Sequence, residues 1–360
     1  MVFKAACFMF TIAVAASSND NLIAVVQVFR HGQRTPVYFS STDPYKDIHT
    51  YWDGLDYGQL TNEGKREHYA LGQFSRKRYA DWLPEVYNKK DIYVQTTDYD
   101  RTHMSAQANL NGLYPPKGSD VWRKNVDWQP IPVHPADPRK IFNGRGESCP
   151  LYNNLSAKAA ASEEFANLNN IYASMFQYIS KHTNSTSMSM TKAVYIYDSL
   201  HIEEQVGYPL PSWTQAVYPE PLSTLAASVF EQIVYYDQMK KLFIGILLND
   251  IIEHFEGIIA DPTSLPKYQM ISCHDSNIFS ILSSVGNRPA KPVPFAVSLW
   301  FELRRVNFNN VVQLWLRSND KLTQLSIKGC ELNCPLTKVK TLLSDILIDL
   351  KGAEALCSMV

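Results

Sequence analysis

The segment RHGQRTP places an arginine on either side of a histidine, directly after an apolar run of strand length. The guanidinium groups of Arg30 and Arg34 can each form two parallel hydrogen bonds to phosphate oxygens, and they stay charged at any working pH. Two neighbouring cations oppose protonation of His31, and a neutral imidazole beside a bound phosphate can act as a nucleophile. An isolated Arg-His-Gly would be read as a solvated basic loop, but the complete string favours a phosphate site.

Two later segments carry polar residues that could complete this site. Arg101 follows a short apolar run in TTDYDRTHMSA, and His274 and Asp275 follow another in YQMISCHDSNI. Alone, the arginine is more typical of a surface ion pair, and the His-Asp pair is more typical of a turn. Together with the first motif they indicate a phosphate site, because a third arginine could complete the set of groups that bind the phosphate oxygens.

Each of these motifs follows a predicted strand, in residues 21–29, Ile92–Thr96 and 268–273. In α/β folds, chemistry is commonly placed at the carboxyl ends of strands. Residues 60–80 predict a helix with Thr61 or Asn62 as its N-terminal cap, and MSAQANLNGLY predicts another. The predicted elements therefore supply strand ends on which the motifs can be positioned.

The remainder of the chain changes character twice. Long stretches between about residues 150 and 260 have helical periods, and strand patterns then return in PFAVSLWFELRRV and NVVQLWLRS. TKVKTLLSDILIDL predicts one closing amphipathic helix. The pattern predicts an α/β fold: a mixed, mostly parallel sheet flanked by helices, with a mostly helical inserted subdomain. The predicted division is a signal peptide (1–18), an α/β catalytic domain (19–150 and 260–360) and a helical insertion or cap (151–259).

The N-terminus has the layout of a secretory signal peptide, since Lys4 precedes an apolar run at 5–16 and small residues follow. No later segment is apolar for long enough to cross a bilayer, so we expect a secreted, soluble protein without a membrane anchor. In that compartment the sequons at Asn154 and Asn184 predict N-glycosylation. The formal net charge of -1 gives no reason to expect a nucleic acid as partner.

The cysteines fit an oxidising compartment. Cys330 and Cys334 can close a small disulfide loop, which we favour over a zinc site because no second close Cys/His pair accompanies them. Cys149 could pair with Cys357. That pairing would leave Cys273 as a buried free thiol.

RHGQRTP, TTDYDRTHMSA and SCHDSNI, in this order and spacing, resemble the histidine acid phosphatases of the histidine phosphatase superfamily. LTNEGKREHYALG, the stretch around QPIPVHPADP, PLPSW and SLWFEL also look like landmarks of that family. The resemblance covers nearly the whole mature chain and looks strongest to animal secreted and lysosomal acid phosphatases. It implies a small phosphomonoester as substrate, no metal or other cofactor, and a secreted or lysosomal location. It leaves a homodimer open.

The resemblance also implies roles for the motif residues. His31 would attack phosphorus and carry a phosphohistidine intermediate, and Asp275 would protonate the leaving oxygen as general acid before helping water to attack. The groups that would bind the transferring phosphoryl group are Arg30, Arg34, Arg101 and His274. Because a carboxyl group that donates a proton works best in acid, we expect an acidic optimum.

The sequence departs from the family at two places. YDSLHIEEQVGYPLPSW lacks a disulfide cysteine that vertebrate relatives carry, so Cys149–Cys357 and Cys330–Cys334 look like the two retained bridges. The tail stops without the membrane anchor of lysosomal relatives. Two other functions stay open. One is a phytase or lipid-phosphate phosphatase with the same chemistry in a narrower pocket. The other is a secreted binder without turnover, which the complete set of catalytic residue types disfavours.

Overall fold

The computed structural model describes residues 20–140 and 149–358, so the predicted signal peptide lies outside the described residues. The described chain forms eight strands of one sheet: β1 (Asp20–Arg30), β2 (Ile92–Thr96), β3 (His134–Pro135), β4 (Tyr268–Cys273), β5 (Ser298–Val306), β6 (Asn309–Ser318), β7 (Lys321–Leu325) and β8 (Cys334–Pro335). Its α-helices are α1 (Ile48–Tyr51), α2 (Asn62–Arg78), α3 (Asp100–Leu113), α4 (Pro150–Ala160), α5 (Glu163–Ile171), α6 (Ala173–Thr183), α7 (Met190–Gln205), α8 (Leu222–Gln232), α9 (Asp237–Lys240), α10 (Ile246–Ala260), α11 (Asp275–Ser284), α12 (Leu336–Leu342) and α13 (Leu350–Cys357). A π-helical segment, Lys241–Gly245, joins α9 to α10.

The sheet is mixed, as the sequence predicted. Its strand order is β3-β2-β4-β1-β5-β6-β7, and β8 pairs with β6. The strands β3, β2, β4 and β1 run parallel to one another, whereas every strand from β5 onward pairs antiparallel with its neighbour. The parallel strands therefore bring the carboxyl ends of β1, β2 and β4 to one edge, where the three motifs begin.

Strand β1 is buried on both faces over residues 24–30, which explains an apolar run that only Gln27 interrupts. Ala24, Val26 and Val28 belong to one hydrophobic cluster, which also contains residues of α10 and α11. Val25 and Phe29 point to the opposite face and pack with residues of α2 and α3. Helices therefore cover both faces of the sheet, and a central strand covered in this way needs no polar alternation.

The chain from residue 150 to residue 260 is mostly helical, from α4 to α10. The helical period of the sequence predicted these helices but not their limits, which depend on caps. Ser162 and Ser189 accept hydrogen bonds from backbone N–H groups at the starts of α5 and α7. Assignment of 151–259 to an inserted cap, and the domain boundaries drawn from it, stay a prediction.

The prediction of one closing helix is wrong, because the chain leaves the helical conformation after α12. Leu343 and Ile346 pack in the core between α12 and α13. A new helix then begins where the Asp349 side chain accepts a hydrogen bond from Gly352 N at 2.7 Å. The sequence pattern would allow one continuous helix. Burial of Leu343 and Ile346 and the cap at Asp349 favour two shorter helices instead.

Two disulfides cross-link the described chain. Cys149 and Cys357 join the start of α4 to the end of α13 across 208 residues, and Cys330 and Cys334 close a small loop. Cys273 is a buried free cysteine. The cysteine pairing is therefore the one that the sequence favoured.

Glu203 is a completely buried carboxyl group on α7, and we expect it to make the fold more stable in acid. Neither of its oxygens accepts a hydrogen bond from a donor in the described part of the chain, and its neighbour is the carboxyl group of Asp43. Burial, and then the negative charge of Asp43, raise the pKa of Glu203 well above its usual value. A protonated Glu203 can donate to Asp43, whereas an ionised one has no donor to replace water.

The stability due to this proton is complete below the unfolded pKa of a glutamate and is lost as the pH rises. Between about pH 5 and pH 8 we expect this group to lower the unfolding free energy of the wild type by an amount on the order of 2 kcal/mol. The melting temperature should fall accordingly. Glu203→Gln should flatten this fall and melt above the wild type at the higher pH. Glu331→Gln, at an exposed glutamate, is the control. The prediction would be contradicted if the melting temperatures of the wild type and Glu203→Gln fell by the same amount as the pH rises.

Candidate active site

The ends of three adjacent parallel strands bring the motif residues together. Arg30, the last residue of β1, is in register with Cys273 of β4, and Thr96 of β2 is in register with Ser272. The next residue along β1 and β4 is a histidine in each case, and the rings of His31 and His274 are 5.6 Å apart between centroids. The sheet register therefore makes neighbours of residues that lie far apart in the sequence.

Gly32 lets the loop after β1 approach α2 closely. A Cβ atom at Gly32 would lie 2.4 Å from the carbonyl oxygen of Gly64, which is a contact that side chains do not make. Gly32 N donates to Ser105 Oγ at 3.1 Å, and Gln33 N donates to Glu67 Oε2 at 2.7 Å. The glycine after His31 is thus required by packing, and α2 and α3 hold the loop in place.

His31 is buried, with 2% of its surface exposed. Its Nδ1 lies 2.8 Å from the carbonyl oxygen of Gly32, and because a carbonyl only accepts, Nδ1 carries the proton. Burial lowers the pKa of His31 well below its usual value, and the charges of Arg101 and Arg30 lower it further. The ring is therefore neutral, and its Nε2 keeps a free lone pair for nucleophilic attack.

Arg30 is a buried guanidinium held by three groups. Its Nη1 donates to the carbonyl oxygen of Val293 at 2.5 Å, and its Nη2 lies 2.7 Å from Asp275 Oδ2. The guanidinium carbon also sits 4.1 Å from the centre of the Phe295 ring. These contacts fix the orientation of Arg30 before any ligand binds.

Arg34 and Arg101 complete the cluster of guanidinium groups. Arg34 forms a two-bond ion pair with Asp198 of α7, at 3.0 Å and 3.1 Å. Arg101 lies in the first turn of α3, which begins before the segment MSAQANLNGLY for which the sequence predicted a helix. Its guanidinium is 4.6 Å from the centre of the Tyr99 ring. Burial, followed by the charge of Arg34, lowers the pKa of Arg101 to about 10, so that it remains a cation. The buried Nε atoms of Arg30, Arg34 and Arg101 have no hydrogen-bond partner among the described residues.

His274 is oriented by threonines that follow β2. The Thr97 hydroxyl donates to Thr102 Oγ1 at 3.1 Å and lies 2.9 Å from His274 Nε2, so His274 Nε2 donates to Thr97. Burial, and then the charge of Arg101, lower the pKa of His274 to about 3. Both site histidines are consequently neutral in the free protein.

Asp275 begins α11 and faces Arg30. Its Oδ1 accepts from Ser276 N at 2.8 Å, and its Oδ2 forms the ion pair with Arg30. Burial alone would raise the pKa of Asp275, but the charges of Arg30 and Arg34 more than offset this, and the pKa lies below its usual value. The carboxyl group is therefore ionised until an anion weakens the influence of the arginines.

All six candidate residues lie in one cluster, and the structure adds three that the sequence did not reveal. These are Thr97 beside His274, Asp198 beside Arg34, and Phe295 beneath Arg30. Thr97 lies inside the second motif and could have been noticed there. Asp198 and Phe295 carry no signal in the sequence, because their partners lie more than a hundred residues away.

The remaining features give context to the site. Asn154, on α4, and Asn184, at the end of α6, are both exposed. Within residues 20–140 and 149–358, no three His, Cys, Asp or Glu side chains are grouped so that they could hold a metal ion. No helix in those same ranges is long and apolar enough to span a membrane.

The family and sequence comparisons point the same way as this geometry. A family model described as histidine phosphatase superfamily (branch 2) matches residues 21–303. The chain is 33% identical over 343 residues to the lysosomal acid phosphatase of Xenopus laevis, covering 93% of this chain and 79% of that protein. It is 31% identical over 332 residues to the prostatic acid phosphatase of Bos taurus, covering 90% and 84%.

A solved structure of similar fold is that of the Hafnia alvei phytase in complex with tartrate. Its TM-score is 0.70 at 18% identity, and the match covers 94% of this chain and 100% of that one. This likeness supports the fold. The family match and the acid phosphatase relatives define an enzyme that hydrolyses phosphate monoesters through a histidine. The chain belongs to the histidine phosphatase superfamily, branch 2, and is a phosphoric monoester hydrolase of the acid phosphatase type.

Proposed function

We propose that this protein is a secreted acid phosphatase that forms a phosphohistidine on His31 and uses Asp275 as general acid. The observation that carries the proposal is the state of His31. It is a buried neutral imidazole whose Nδ1 proton is engaged and whose Nε2 lone pair is free, beside a cluster of guanidinium groups. A nucleophile that needs no deprotonation suits attack on a phosphate whose charge is already neutralised.

In the first step, a bond forms between His31 Nε2 and phosphorus while the ester P–O bond breaks. Arg30, Arg34 and Arg101 bind the phosphoryl oxygens, and His274 lies beside them. The proton of Asp275 passes to the leaving oxygen, so that the product departs as an alcohol. In the second step, Asp275 takes a proton from water as the water oxygen attacks phosphorus, and the bond to His31 breaks to release inorganic phosphate.

The charges around Asp275 favour an acidic working range. In the free protein Arg30 holds the pKa of Asp275 low. A bound phosphate adds negative charge beside these arginines, which raises the proton affinity of the carboxyl group in the complex. The monoester itself loses its second proton near pH 6, so the proton that the reaction needs becomes scarce above that value.

Secretion and glycosylation are supported by separate observations. The relatives are named lysosomal and prostatic acid phosphatases, and the described chain contains two disulfides, which persist in oxidising compartments. The side chains of Asn154 and Asn184 are accessible to a glycosylating enzyme. Small phosphomonoesters are the proposed substrates.

We expect p-nitrophenyl phosphate to be hydrolysed with an optimum near pH 5, at a rate that EDTA does not change. The measurement is a pH-rate profile of the wild type with and without EDTA. Activity that requires an added metal, or an optimum above neutrality, would contradict the proposed function. The same assay on phytate, lysophosphatidate and phosphotyrosine would distinguish a broad phosphatase from a specialised one.

A further inference from the structure

Asp198, on α7, binds one of the site arginines from the helical side. Its Oδ2 lies 3.0 Å from Arg34 Nη1, and its Oδ1 lies 3.1 Å from Arg34 Nη2. Only 8% of the Arg34 side chain and 18% of the Asp198 side chain are exposed, so solvent screens the pair weakly. Asp198 therefore offsets the charge of Arg34 before any phosphate arrives.

The charged groups of the site nearly balance. Arg30 is paired with Asp275 at 2.7 Å, and Arg34 is paired with Asp198. Arg101 forms no ion pair with any residue in the described part of the chain. Because both site histidines are neutral, these three arginines and two carboxylates together carry one excess positive charge. A phosphate dianion, the main form of a monoester above about pH 6, would turn this buried cluster negative unless a proton came with it.

We propose that Asp198 is a charge-compensating and positioning residue that couples phosphate binding to the uptake of one proton and limits affinity for the phosphate dianion. The inference rests on the proposed function, because phosphate must bind between the arginines. The proton resides on Asp275 or on the phosphate itself. When it is on Asp275, the general acid is in its working form. The same compensation eases release of inorganic phosphate at the end of the reaction.

Several other ionisable groups surround this ion pair. They are Arg30 after β1, Glu67 on α2, Tyr197, His201 and Glu204 on α7, and Tyr218 and Glu220 after α7. Burial raises the pKa of Tyr197 to about 12 and lowers the pKa of His201 from its usual value, so neither carries its charge at the pH of about 7.5 used in the test below. Glu204 accepts a hydrogen bond from the Tyr218 hydroxyl, and Glu220 forms an ion pair with Lys291, so each has a partner other than Arg34. Asp198 is thus the carboxylate that balances Arg34.

The test compares phosphate binding by variants of the whole chain. Asp198→Asn removes the charge but keeps the shape and one acceptor for Arg34. Asp198→Glu keeps the charge. Asp250→Asn removes an equal charge from a pair with Lys140 that lies outside the site. Calorimetry with inorganic phosphate at about pH 7.5, in two buffers of different ionisation enthalpy, gives the affinity and the number of protons taken up.

We expect Asp198→Asn to bind phosphate about tenfold more tightly than the wild type at this pH, with less proton uptake. The alkaline limb of its kcat profile should move to lower pH by about one unit, because Asp275 holds its proton less firmly. Asp198→Glu and Asp250→Asn should take up protons as the wild type does.

Equal affinity and proton uptake in Asp198→Asn and the wild type would overturn the inference. An equal shift in Asp250→Asn would do so too, because it would show an effect of total charge. Weaker phosphate binding by Asp198→Asn would show that the ion pair only holds Arg34 in place, and would refute charge compensation. A wild type that neither binds phosphate nor turns over substrate would instead refute the proposed function.

Discussion

His31→Ala should lower kcat for p-nitrophenyl phosphate by about 10⁴-fold to 10⁶-fold, because the variant has no atom to accept the phosphoryl group. The geometry leaves no obvious substitute nucleophile. His274 Nε2 is engaged in a hydrogen bond to Thr97, and the free thiol of Cys273 is fully buried, which raises its pKa. The loss should therefore appear as a lower kcat at every pH and not only as a higher KM.

The covalent intermediate gives a second measurement. The substrate is labelled in its phosphoryl group. Rapid mixing of the wild type with this substrate, followed by an alkaline quench, should leave the label on the protein, whereas His31→Ala should carry none. His134→Ala, at an exposed histidine that stacks on Tyr93, is the matched control and should behave as the wild type does. Labelled protein in His31→Ala, or unchanged turnover, would show that another group attacks phosphorus.

Asp275→Asn should have the next largest effect, and its size should depend on the leaving group. The amide keeps the size of the carboxyl group and can still accept from Arg30, but it cannot supply a proton. For alkyl phosphates, whose alkoxide is a poor leaving group, we expect kcat/KM to fall by about 10²-fold to 10⁴-fold. For p-nitrophenyl phosphate, whose phenolate leaves readily, kcat/KM should fall much less.

This comparison has an internal control, since one variant is assayed with two substrates. A defect in folding, or in the orientation of Arg30, would lower both reactions by the same factor. An equal loss for the two substrates would therefore contradict the role of Asp275 as general acid. A phosphate-binding measurement on the same variant would show whether the site remains intact.

The six candidate site residues, which the structure brings together, could be proposed from the sequence because their signals are local. Arg30, His31 and Arg34 lie in one short segment after an apolar run, and the run forms the strand that the pattern predicts. The limits of β2 and β4 and the Thr61 cap of α2 also agree with the sequence, since they depend on neighbouring residues. Local preferences and strand patterns sufficed for this part of the molecule.

Only the tertiary structure decided what surrounds those residues. Asp198 is 164 positions from Arg34, and Phe295 meets Arg30 because the segment before β5 packs against the end of β1. Such pairings depend on how α7 and the sheet edge come together, for which no short sequence pattern exists. The break between α12 and α13 has the same origin, because core packing of Ile346 competes with a continuous helical period. The sequence by itself therefore determined which residues are candidates for the chemistry, and the packing of distant elements decided how their charges are balanced.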